Sequence, residues 1–183
     1  MDTSTRDRIA AAAARDHQWK AGDVDVRANE ELDKAGCSFF VAVNARQPSH
    51  DVGNYALLGD GRIAGVDVSG NAAAAELLKA CGKEASADWW AAVVARFSNQ
   101  VGGLVLTADG NPFAIRKIRD AGVEFKAPSL VRGAGAATLT FFTMDIDANQ
   151  AHQATATLAA DGTLSVRTQP VSSKSTQPAG ATR

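Results

Sequence analysis

The sequence predicts an α+β fold, a mainly antiparallel sheet with helices packed on one face, an N-terminal helix and a disordered C-terminal tail. Three observations carry that prediction. Apolar runs of strand length group near the start and the end of the chain, with helix-like segments between them. The last strand region alternates, so that Phe142, Met144 and Ile146 fall on one face while Gln153, Thr155, Thr157, Ser165 and Arg167 mark a wet one. Two Asp-Gly dipeptides, Asp60-Gly61 and Asp161-Gly162, each separate a pair of apolar runs, and glycine accepts the positive φ of a tight hairpin turn.

Taken in order, "TSTRDRIAAAAARDHQWKAG" offers Thr3, Ser4 or Thr5 as a cap and Gly22 as a stop, giving a helix within residues 1–22. Ile9 and Trp19 are its only large apolar residues, so it lies on the body rather than inside it. "NEELDKAG" reads as a short helix capped by Asn29. "CSFFVAVN", from Cys37, is a continuous apolar run and therefore a central strand. "NYALLGDGRIAGVDVSG" is a hairpin, after which Ser69 caps "NAAAAELLKACG" and Ser86 caps the helix holding "DWWAAVVARF". "VGGLVLTADG" contains a short strand. "NPFAIRKIRDAG" is a helix with Asn111 at its cap, Pro112 at its first position and Gly122 after its end. "VEFKAPSLV" is extended, and the segment from Ala137 to Val171 forms three antiparallel strands. The whole is expected to be one domain over 1–171, followed by a tail, 172–183, without large apolar residues. No internal repeat of solenoid period is apparent.

With 183 residues, 45% of them hydrophobic and 21% charged, the chain is long enough for a sizeable core. A net charge of -1 supplies no basic surplus, so nucleic acid and anionic membrane are not expected partners. No apolar run approaches a membrane span, and "MDTSTRDR" lacks the order of a signal peptide, so the expected location is cytoplasmic unless a signal has been removed. Cys37 and Cys81 both have core-like neighbours and read as two buried thiols. A disulfide between them would require an exported chain and Cα atoms within about 7 Å.

"PSHDVGN" carries the residue types of a hydrolytic triad, but consecutive Ser49, His50 and Asp51 side chains diverge where a triad must converge. His50 remains a candidate general base with a distant partner, against the plainer reading of a solvated turn histidine. "DIDAN" begins like a calcium loop, yet Gln150 and Ala156 stand where glycine and glutamate are needed. Asp145 and Asp147, expected on one strand face, are candidates for an acid/base pair. No cofactor is expected, and no metal, because the three histidines lie in separate elements without ligand spacing. "VRGAGAAT" lacks the Gly-Lys-Ser/Thr of a phosphate loop and reads as a turn. Arg116, Lys117 and Arg119, with Lys126 and Arg132, read as a solvated face or a contact for an acidic partner.

Trp89 and Trp90 are adjacent, and neighbouring helical side chains diverge by about 100°. Trp90, Val93, Val94 and Phe97 recur at core spacing, which places Trp90 inside and leaves Trp89 on the flank with Arg96. Trp89 and Arg96 are therefore the candidate binding residues. These readings favour a non-enzymatic module that docks a protein partner. The alternative is a small-molecule enzyme or ligand-binding domain with a pocket between sheet and helices.

Overall fold

A computed structural model describes residues 2–48, 52–65 and 70–171. The tail 172–183, the Ser69 cap and the Ser49–His50–Asp51 cluster lie outside the described residues. The fold is α+β, with strands in two antiparallel sheets. Helix α1 (Thr3–His17) precedes β1 (Val24–Ala28), β2 (Cys37–Asn44), β3 (Val52–Leu58) and β4 (Ile63–Gly65), which form the first sheet in that order. Helices α2 (Ala72–Cys81) and α3 (Ala87–Phe97) follow, then β5 (Leu104–Leu106) and α4 (Pro112–Asp120). The second sheet is completed by β6 (Ser129–Arg132), β7 (Ala136–Asp145), β8 (Gln150–Ala159) and β9 (Leu164–Pro170). Strands β5 and β6 share one edge of β7, with β8 and β9 on its other side.

Each sheet is built around a Phe-Phe pair whose members point to opposite faces, as strand alternation requires. In the first sheet, Phe39 faces α2 and α3 while Phe40 joins Ile9, Ala12 and Ala13 of α1 on the outer side. In the second, Phe141 faces α3 while Phe142 joins Ala114 and Ile118 of α4. The helix pair α2–α3 thus lies between the sheets, and the largest core cluster draws on both. Beyond α4 the outer face of the second sheet is polar, with Gln153, Thr155, Ser165 and Arg167 exposed.

The two hairpins repeat one design. The strand that enters each Asp-Gly turn, β3 or β8, pairs on its other side with the strand that carries the Phe-Phe pair, Phe39 of β2 with Ala56 and Phe141 of β7 with Ala154. Gly61 donates to the Leu58 carbonyl (2.8 Å) and Gly162 to that of Ala159 (2.9 Å), with φ of 84° and 86°. Asp60 accepts from the Arg62 amide (3.0 Å) and Asp161 from that of Thr163 (2.8 Å).

Several local expectations need correction. Asp2, not a residue of the Thr3–Thr5 group, caps α1 by accepting from the Thr5 amide (2.8 Å), and the helix ends at Gln18 in the left-handed region (φ 57°), before Gly22. "NEELDKAG" holds only a single 3₁₀ turn, Glu30–Leu32. Val24–Ala28 forms strand β1, which no local sequence signal marks. Ile146 is 68% exposed in the β7–β8 turn rather than sharing the face of Phe142 and Met144. Cys37 and Cys81 are joined in a disulfide, with Cα atoms 6.2 Å apart, and are not free thiols. It ties the first residue of β2 to the last of α2.

Candidate functional site

The α3 helix explains the paired tryptophans. Because α3 is sandwiched, both of its flanks meet a sheet, and divergent neighbouring rings can both be buried. Trp89 lies edge-on to Phe39, centroids 5.9 Å apart, and its indole N–H donates to the Leu32 carbonyl (2.7 Å). Trp90 donates to the Gly82 carbonyl (2.8 Å) under the Arg132 guanidinium, 5.6 Å from the ring centre. The rings are only 5% and 3% exposed. Of the two flank positions open to Trp89, covering the edge of the core or standing partly exposed, the second is excluded, because the residue is buried and presents no free face. Arg96, two turns further along α3, is half-buried, its guanidinium directed at the Ala92 carbonyl (3.4 Å).

The other candidates do not converge. Asp145 ends β7 and accepts from the Ala148 amide (2.9 Å), closing the turn, while Asp147 is exposed inside that turn instead of sharing a strand face with it. Of the basic group, Lys117 donates to the Asn149 carbonyl, Lys126 pairs with Glu124 (3.1 Å) and Arg132 donates to the Ala85 carbonyl (2.7 Å). Those three have structural partners, while Arg116 and Arg119 stand exposed on α4.

A cleft of about 860 Å³ opens where the two Asp-Gly hairpins approach α2. Arg62, just after the first turn, and Gly162 and Thr163 of the second both line it, with Glu76 and Lys79 of α2 between. Arg62 is clamped by Asp60 (2.8 Å) and Glu76, which hold its guanidinium even more firmly protonated than usual. The Arg62 amide and side chain in turn keep the Asp60 carboxyl below its ordinary range, and the Thr163 amide does the same for Asp161. Lys79 reaches over Gly162, close to Asp161.

The end of the cleft is set by Asn71. Although it precedes α2, its side chain makes no cap; its amide donates to Gln100 (3.0 Å) and to the Leu164 carbonyl (3.2 Å) and accepts from the Ser98 hydroxyl (2.5 Å). This network joins α2, the end of α3 and β9, so the lining is fixed from three directions. Ala72 and Ala75 supply small side chains that leave the space open. The result is a concavity of ligand size offering charges of both signs and two amide side chains.

None of Trp89, Arg96, Asp145 or Asp147 lines this cleft. Sequence reasoning missed Arg62, Asn71, Glu76, Lys79 and Gln100; the available signal was Glu76 and Lys79 at i, i+3 on one helix between two Asp-Gly turns. No described helix is long and apolar enough to cross a membrane. No family model, curated protein or solved structure matches the chain.

Proposed function

We propose that the protein is a binding domain for a small polar molecule, taken up in the cleft between the two hairpins. The observation that carries this reading is the convergence of Arg62 from the first hairpin, Asn71, Glu76 and Lys79 from the start and body of α2, and Gln100 from beyond α3 on one space of about 860 Å³ that the second hairpin closes at Gly162 and Thr163. Opposite charges held a helical turn apart suit a ligand that both donates and accepts, such as an amino acid or a hydroxylated acid. This reading is favoured over docking of a protein through Trp89, because that ring is enclosed and hydrogen-bonded within the fold. The Cys37–Cys81 disulfide supports an oxidising compartment, where such bonds persist.

A thermal-shift panel of amino acids, short carboxylic acids and monosaccharides tests the proposal. A ligand that binds only the native state raises the melting temperature by mass action. The expected result is a hit with the native protein that weakens in both Lys79→Ala and Glu76→Gln. Hits unaffected by either change, or a panel without hits, would count against it.

A further inference from the structure

We infer that the Cys37–Cys81 disulfide is a redox-sensitive latch that fixes the last turn of α2, and with it Lys79, at the edge of the cleft. The inference builds on the cleft reading, but its test needs no ligand. The bond joins the first residue of β2 to the final residue of the helix whose other face lines the cleft. Its two cysteines differ in exposure, Cys37 being buried and Cys81 half-buried. Cys81 is therefore the side at which a dithiol is expected to enter. Its thiolate attacks Cys81 Sγ, a mixed disulfide forms, and the Sγ–Sγ bond breaks with its electron pair leaving on Cys37, which takes up a proton. The second thiol, losing its proton, displaces Cys81, which is protonated in turn, leaving two protein thiols and an oxidised cyclic dithiol.

The consequence is confined by the remaining ties. Leu77 and Leu78 stay buried, and the Gly82 carbonyl still receives Trp90 and, at 3.3 Å, Arg132. What is lost is the covalent link of the last turn to the first sheet. Lys79 and Ala80, the cleft residues on that turn, are exposed and have little other packing.

Hydrogen exchange on the native protein with and without dithiothreitol tests the latch, with Cys37→Ser/Cys81→Ser as a second form. The expected result is exchange at residues 79–82 faster by about tenfold or more in both, with β7 and β8 amides unchanged. Unchanged exchange at 79–82 would overturn the inference. So would equal acceleration across β7 and β8, or loss of the fold on reduction, since either makes the bond a staple of the whole domain. Loss of the latch in this test leaves the ligand panel above to judge the cleft independently.

Discussion

Glu76 and Lys79 stand one turn apart on α2 and reach different hairpins, Glu76 pairing with Arg62 beside the first Asp-Gly turn and Lys79 lying over Gly162 in the second. The two turns have matching positive φ, but their surroundings differ. A Cβ on Gly61 would meet nothing within 4 Å, whereas one on Gly162 would run into the Lys79 side chain. Alanine in either left-handed position costs roughly 1–2 kcal/mol. Because the atoms met are the far end of an exposed lysine, Lys79 can swing aside, so Gly162→Ala and Gly61→Ala should cost about the same in urea unfolding, each through its positive φ. An excess cost for Gly162→Ala that disappears in a Lys79→Ala background would show instead that Lys79 is pinned on the second turn.

The enclosed tryptophans should be equally indispensable. Trp89→Ala and Trp90→Ala should each cost about 3–5 kcal/mol, because both remove a buried ring and its indole hydrogen bond, although the Gly82 carbonyl keeps Arg132 as a donor when Trp90 is lost. Trp89→Phe retains most of the packing on Phe39 but strands the Leu32 carbonyl, at about 1–3 kcal/mol. Denaturant curves decide the matter; a cost below 1 kcal/mol for Trp89→Ala would mean that its ring is not held as described.

Tyr55 is seated against glycines on neighbouring positions of β3 and β4. A Cβ at Gly53 would come within 2.6 Å of His17 Nε2 and 2.9 Å of the Tyr55 ring, and one at Gly65 within 2.8 Å of that ring. The ring is 1% exposed and cannot swing away. Gly53→Ala and Gly65→Ala should therefore each destabilise by about 1–3 kcal/mol through overpacking. Replacing Tyr55 by Leu should shrink the Gly65→Ala penalty in a double-mutant cycle, and additive losses would refute the contact.

The same side chain predicts a pH response. Burial, reinforced by the Asp16 carboxylate that accepts its hydroxyl at 3.4 Å, holds Tyr55 protonated well above the ordinary value of 10.0. Just above pH 10 the unfolded chain loses this proton while the folded chain keeps it. Stability is therefore fully present below pH 10 and falls as pH rises beyond it. Tyr55→Phe should cost about 0.5–1.5 kcal/mol at neutral pH and flatten the decline above pH 10. Parallel alkaline stability curves for the two proteins would contradict this assignment.

Local chemistry made much of this fold legible. Continuous apolar character marked β2, Asp-Gly marked both hairpins, and Asn111-Pro112 marked the start of α4, where Asn111 accepts from the Phe113 and Ala114 amides. What escaped was set by distance along the chain. Trp89 is satisfied by a carbonyl 57 positions away, and the disulfide spans 44 positions, so neither partner is visible locally. β1 is only five residues long and half polar, and it is held as a strand by its pairing with β2. The cleft was least legible of all, because Arg62, Glu76 and Lys79 each look like ordinary surface charges until the two hairpins bring them together.

Binding of a small polar ligand in the cleft between the hairpins can be read residue by residue from amide chemical shifts during titration with the strongest hit of the ligand panel. Shifts should concentrate at Arg62, Asn71, Glu76, Lys79, Gln100 and Thr163 and saturate together. Saturable shifts centred elsewhere, on α4 or the polar outer face of the second sheet, would contradict binding in the cleft.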